Sequence, residues 1–219
     1  MNLRKIKKVI YTILFPSWRK GNEFYLNGAT LSLNNSKIEK CYFEFDPSNK
    51  MVINNSTLKN CRFVISGNHS TIIIEEGCNF HDMDVWIEDG DCIVHFSKNV
   101  QIFGNKNNNT GFSCIEGSKI FVGENCLISS GVVFTTGDGH SLLDMDGKRT
   151  NYSKDIIIGN HVWIGRRVMI SKGVTLSDET VVGAGAIVTK SFNQSNCVIA
   201  GVPGKIVKEN VRWRAARIK

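Results

Sequence analysis

His140 stands in a polar, glycine-containing stretch of a chain otherwise rich in short aliphatic runs: Thr135 to Asp155 reads TTGDGHSLLDMDGKRTNYSKD. An imidazole between glycine and serine has no core to satisfy there. With an unperturbed pKa of about 6.5, such a group can take a proton from a hydroxyl at neutral pH. Histidines also fill surfaces without any task, and residue type alone does not choose between the two readings. Two carboxylates, Asp138 and Asp144, lie close enough in sequence to fix the ring's tautomer, and Asp138 is the preferred partner. The other histidines, His69, His81, His95 and His161, form no H-x-x-x-H set, so no metal is expected. The seven cysteines (Cys41, Cys61, Cys78, Cys92, Cys114, Cys126 and Cys197) are an odd number with no C-x-x-C pair. They read as small buried hydrophobes of a protein in a reducing cytoplasm, not as a zinc cluster or a disulfide framework.

The elements that must hold such a loop are written in a period of six. From Ile158 to Thr189 an aliphatic residue opens every unit: Ile158, Ile164, Ile170, Leu176, Val182 and Val188. Four places further on sit Val162, Val168, Val174, Thr180, Ala186 and Phe192, a second compact inward position. Six matches neither a helix nor an ordinary strand. Each unit supplies one short flat strand and one tight corner, and three units close a triangular coil, which predicts a parallel β-helix. Gly159, Gly165 and Gly183 follow the openers, where a corner needs unusual backbone geometry or close approach. The beat also holds at Val122, Ile128 and Phe134, with Cys126 and Val132 between them. Phe134 and Ile158 are separated by four whole hexads, so the His140 loop can leave the coil and rejoin it in register.

Between Gly21 and Gly117 the six-beat blurs. A longer repeat takes over: SKIEKCYFEF, STLKNCRFVI and NFHDMDVWI recur roughly every 20 to 22 residues. Alternation such as Cys61, Phe63, Ile65 and Met83, Val85, Ile87 predicts strands with one buried face. Asn34–Asn35, Asn54–Asn55 and Asn105 to Asn109 read as corners or protruding turns.

The ends differ from the middle. The 219 residues are 42% hydrophobic and 21% charged, ordinary for one soluble domain, yet the net charge of +7 is concentrated at both termini. Residues 1–20 place Leu3, Ile6, Ile10, Ile13 and Leu14 on one helical face among basic residues. That segment reads either as a helix capping the coil or as an interfacial helix on anionic lipid. Its apolar run is too short to cross a bilayer, and no A-x-A-like cleavage site follows it. Residues 205–219 form a second basic segment, read as a C-terminal helix. Basic termini can meet nucleic acid, lipid or a phosphate-rich small molecule. No nucleic-acid module accompanies them, so no nucleic-acid partner is expected.

The stretches IIIGNHVWIG, VGAGAIVTK and IAGVPGKIV, in this order and spacing, resemble the hexapeptide-repeat acyltransferases, nearest to the maltose, galactoside and capsular-polysaccharide O-acetyltransferases. The likeness is specific over residues 118 to 208 and loose before them. It implies an all-β fold, a left-handed parallel β-helix over residues 21–204 with short terminal helices. It also implies a homotrimer with active sites between subunits, and acetyl-CoA as donor. Handedness comes only from the resemblance, since parallel crossovers are otherwise right-handed.

The same resemblance makes His140 the general base and marks Trp163, Ala184, Thr189, Lys190, Lys205 and Lys208 as lining the CoA groove. Arg166 departs from the family, where a small residue is usual, as do Lys205 and Lys208, where arginine is usual. The reaction implied is direct acetyl transfer to a sugar hydroxyl of a cell-surface polysaccharide or its precursor. It is placed in the cytoplasm, with the inner face of the membrane as an alternative site of peripheral contact. Two other readings stand beside it: N-acetylation of a nucleotide-linked amino sugar, and a non-catalytic β-helix scaffold.

Overall fold

The structure, a computed structural model, describes residues 20–216 and 218. Its strands form the three walls of a triangular prism. The first wall has eight strands, from Glu23–Tyr25 to Ile187–Val188; the second has seven, from Thr30–Asn34 to Thr175–Leu176; the third has nine, from Lys37–Glu39 to the terminal pair Val198–Ala200 and Lys205–Lys208. The chain visits the walls in that order, turn after turn. Every strand therefore pairs in parallel with the one a full coil later, until the final antiparallel pair.

All the hexad openers from Ile158 to Val188 are buried, at 1% exposure or less, and so are Val162, Val168, Val174, Thr180 and Ala186. Ile164 stacks on Val182, Ile158 on Leu176 and Ile170 on Val188, each pair three hexads apart. The corner glycines serve close approach. A Cβ on Gly165 would sit 2.7 Å from the Ala184 nitrogen and 2.9 Å from the Val182 oxygen. Left-handed backbone comes two residues later, at His161, Arg167 and Gly185.

In the N-terminal coils Phe24 stacks on Phe43, Phe43 on Phe63 and Phe63 on Val85, every step longer than three hexads. Longer coils enclose a wider prism, and phenylalanine fills it. Phe43, Phe45, Phe63, Phe80, Phe96, Phe112 and Phe134 are all fully buried, each stabilising the fold by roughly 1.5–3 kcal/mol. All seven cysteines are free and buried. Burial pushes the Cys126 thiol up to about 12 and that of Cys78 to about 11, which keeps both protonated and inert.

One expected element is corrected. Residues 205–219 do not begin a helix: Lys205–Lys208 is a strand lying antiparallel on Val198–Ala200, and no helix follows it among the described residues. Gly201 to Gly204 reverse the chain, and the returning strand covers the wall's open edge, which would otherwise present unpaired backbone groups. Residues 1–19, and with them the expected amphipathic helix, lie outside the described residues.

Candidate functional site

The His140 loop leaves the prism after Val133–Thr135 on the first wall and returns at Ile156–Ile158 on the second. Its base is fixed by Thr136. That buried hydroxyl accepts from the Ile115 N–H at 3.0 Å and from the Ser118 hydroxyl at 2.7 Å, while the Thr136 carbonyl accepts from the Lys154 N–H. Beyond the base the loop is a short antiparallel hairpin, with Leu143 opposite Arg149.

Asn151, only 8% exposed, is the hub of the loop. Its amide donates to the carboxylate of Asp138 and to the backbone oxygen of His140, both at 2.7 Å; its own oxygen accepts from the Leu142 N–H at 2.7 Å. Lys172, one coil below, reaches up to bind Asp138 at 2.5 Å and the Asn151 carbonyl at 3.0 Å. The Lys172 ammonium and the Asn151 amide hold the Asp138 carboxyl below its ordinary value. A second clamp joins Arg149 to Glu116 at 2.6 Å, and Ser153 donates to the same carboxylate; together they hold Glu116 low.

These contacts define what each carboxylate does for His140. Asp144 accepts from the backbone N–H groups of Asp146 and Lys148 and so shapes the hairpin tip. Asp138 grips Asn151, which grips the His140 carbonyl. Asp138 thus positions the residue through its backbone, and the imidazole is exposed, with no hydrogen bond to any described residue. Asn151 and Lys172 are not marked by any pattern in the sequence. Lys172 lies 34 residues from Asp138, and stacking of coils alone brings them together.

The residues marked for a CoA groove fall in three places. Thr189 and Lys190 are exposed on the edge between the first and second walls, the edge that carries the His140 loop, with the Lys190 ammonium 5.5 Å from the Phe192 ring centroid. Ala184 lies on the edge between the third and first walls, in an open cleft of about 450 Å³ lined also by Asn105, Asn108, Ser130, Arg166, Arg167 and Gly185. Trp163 faces outward on the third wall, 40% exposed, with Trp213 tilted beside it at 5.9 Å. Lys205 and Lys208 are exposed on the strand that closes that wall. Within this chain, then, His140 and the cleft lie on opposite borders of the first wall.

The cleft has two guanidinium groups and two amides around a low floor at Ala184–Gly185, a set suited to an extended anionic ligand. Arg166, a departure from the family pattern, is part of that charge. Among the described residues no three His, Cys, Asp or Glu side chains group as a metal site, and no helix is long and apolar enough to cross a membrane.

Residues 155–190 match the family described as the hexapeptide repeat of succinyl-transferase. The polysialic acid O-acetyltransferase of Neisseria meningitidis is 33% identical over 190 residues, covering 78% of this chain and 88% of that protein. A polysialic acid O-acetyltransferase of Escherichia coli O1:K1 is 38% identical over 95 residues, 43% of this chain but only 31% of the relative's length. The crystallographically analysed polysialic acid O-acetyltransferase OatWY superposes with a TM-score of 0.83 at 30% identity, over 90% of this chain and 92% of that one. With that superposition the prism is a left-handed parallel β-helix.

Proposed function

Because the chain belongs to the hexapeptide-repeat O-acetyltransferases, we propose that it transfers an acetyl group from acetyl-CoA to a hydroxyl of a sugar chain, with His140 as general base. The observation that carries this reading is the loop itself. Its hydrogen bonds hold the His140 backbone still, through Asn151 and Asp138, while the imidazole is left exposed.

The donor supplies an acetyl thioester. His140 takes the proton of the acceptor hydroxyl as that oxygen bonds to the acetyl carbon, holds it while the carbon–sulfur bond breaks, and returns it to the departing thiolate. Asp138 and Asn151 act as positioning residues, fixing where the ring stands. Arg166 and Arg167 meet anionic groups of the donor in the cleft over Ala184. Trp163, Lys205 and Lys208 extend the donor contacts along the third wall, and Thr189 and Lys190 supply theirs from the His140 edge of the neighbouring subunit.

The placement of the parts supports a homotrimer. His140 and the cleft border the same wall on opposite sides, so one protomer's loop complements the cleft of the next. The hairpin tip supports this: Met145 is fully exposed, and Leu142 and Leu143 are each 61% exposed, apolar surface suited to cover by a neighbour. Light scattering should report three chains per particle.

The test is thiol release from acetyl-CoA against a panel of sugars, oligosaccharides and nucleotide-linked amino sugars. Release on hydroxyl acceptors supports the reading. Release confined to amino sugars moves it to N-acetylation, and no release on any acceptor, in a folded trimer, overturns it.

A further inference from the structure

The outward face of the first wall is unlike the other faces of the N-terminal coils. Tyr25, Tyr42, Arg62 and Trp86 come from four successive coils. The Arg62 guanidinium lies 5.4 Å from the Tyr42 ring centroid and 5.7 Å from that of Trp86, and Tyr25 and Tyr42 pack at 5.5 Å. Polar groups alternate with the rings. The Tyr42 hydroxyl donates to Glu44 at 2.5 Å, and Asp84 is held by the Asn109 amide at 3.0 Å. Trp86 is 40% exposed and Arg62 is exposed, so a flat ring and a fork of donors face solvent side by side.

Gly111 marks where this ladder leads. It pairs with Asp84 on one side and Val133 on the other, directly below the aromatic rows. A Cβ added there would meet nothing within 4 Å, and its backbone is not left-handed. The fold therefore does not require glycine, which weakens a strand. What glycine provides is bare backbone in the middle of the wall. The neighbouring row runs from Trp86 through Ser113 to Thr135, the last strand residue before the His140 loop. At about 4.8 Å per strand, the path from Tyr25 to Ser113 is roughly 19 Å, long enough for several linked sugar units.

We propose that this face seats the acceptor as an extended sugar chain, with a sugar ring stacked on Trp86, hydroxyls bound by Arg62 and Asp84, and the chain passing over Gly111 toward His140. The proposal rests on the acetyl-transfer reading and adds to it the face on which the sugar chain lies. Ring faces beside charged hydrogen-bonding groups are the chemistry that recognises a pyranose, whose apolar face stacks while its hydroxyls bind at the rim. Glu23, Glu44 and Asp84 outnumber Arg62 on this face, so a neutral chain should bind it more tightly than a polyanionic one.

The experiment uses the full chain and two probes, polysialic acid and a neutral galactan, with sialic acid and galactose as short controls. Donor-free calorimetric titration comes first, so its outcome does not depend on turnover. Wild type should bind a polymer. Trp86→Ala, Arg62→Ala and Gly111→Leu should each weaken that binding about tenfold. In turnover, the KM for polymer should rise by the same factor, with kcat, the donor KM and the activity on short sugars unchanged. Gly111→Leu keeps the test sharp, because a Cβ there meets nothing within 4 Å and the backbone is not left-handed. Polymer affinity unchanged in all three variants, or a wild-type protein that binds neither polymer, overturns the proposal. So does loss of the assembly state by light scattering in these variants, which would make the face a contact between copies. Polymer binding that depends on these residues without any acetyl transfer would instead overturn the enzymatic reading alone.

Discussion

The two halves of the prism do the same job with different material. From Trp163 to Val188 every strand is two residues long, the repeat is three hexads and the core is mostly isoleucine and valine. From Glu23 to Cys114 strands reach five residues, the coils are longer, and phenylalanine and methionine fill the interior. The narrow half gives regularity and the wide half gives wall area. Function divides along a similar line: the Ala184 floor of the cleft and the strands that flank the His140 loop lie on regular coils, whereas the broad, ring-bearing face lies on irregular ones. The largest difference to test is chemical. His140→Ala should cost about 10² to 10⁴ in kcat and leave the fold and assembly intact, because that residue is exposed and outside the core. Steady-state kinetics with circular dichroism checks it, and turnover within about threefold of the parent would place the base elsewhere.

Packing gives the next largest contrast. Phe112 is stacked face to face on Phe134 at 4.4 Å and edge-on to Phe96 at 5.0 Å. Phe112→Ala should cost about 3–5 kcal/mol, whereas Ile164→Val in the narrow half should cost about 0.5–1.5 kcal/mol. Urea unfolding measures both. Equal losses would mean that the wide coils can collapse around a missing ring.

The loop links the halves, since Glu116 comes from an upper coil and Lys172 from a lower one. Asn151→Ala frees the His140 carbonyl and leaves Asp138 with Lys172 alone. A loss of about tenfold in kcat is expected, with donor and acceptor KM little changed. Asp138 and Glu116 both have depressed pKa values. Their contribution to loop stability is therefore complete above the unfolded carboxylate pKa of about 4 and disappears only as pH falls through the lower folded values. Protection from amide exchange in residues 136–155, taken relative to the intrinsic rate at each pH, should stay constant from neutral pH down to about 4 and fall below it. Loosening at higher pH would assign the clamp to other groups.

How much of this is legible in the sequence follows from which interactions are local. The hexad openers can be read one by one because a six-residue beat fixes the inward position inside each unit, and the structure buries all of them. The loop's exit and return are legible for the same reason, because four whole hexads conserve phase. The partners of Asp138 are not legible. Lys172 and Asn151 meet it only after coils stack, and no local pattern records which corner lysine will lie beneath the loop. The last segment misleads because its basic residues suit a helix, while its fate is decided by the open edge of Val198–Ala200, which a strand can cover and a helix cannot.

Donor contacts should differ more modestly between edges. Lys190→Ala, on the loop edge, and Lys205→Ala, on the closing strand, should each raise the donor KM roughly fivefold and leave kcat near the parent value, as expected for exposed charge pairs. If only one responds, the donor's phosphates sit on that edge, and product inhibition by CoA distinguishes the cases.

The smallest expected effect concerns a flaw in the regular half. Thr180 occupies an inward position that valine fills in the three preceding units, at Val162, Val168 and Val174, and its buried hydroxyl has no hydrogen-bond partner among the described residues. A buried hydroxyl without a partner costs about 1–3 kcal/mol of desolvation, and replacement by an isosteric methyl removes that cost without opening a cavity. Thr180→Val should therefore stabilise the chain by about 1 kcal/mol in urea unfolding, leaving the m-value and the activity unchanged. Destabilisation would mean that the hydroxyl is satisfied, with the Cys197 thiol the candidate partner because the Thr180 side chain counters the rise that burial gives that thiol's pKa. The narrow half would then hold its beat through a polar contact at this corner, and its regularity would owe less to aliphatic packing than the other five units suggest.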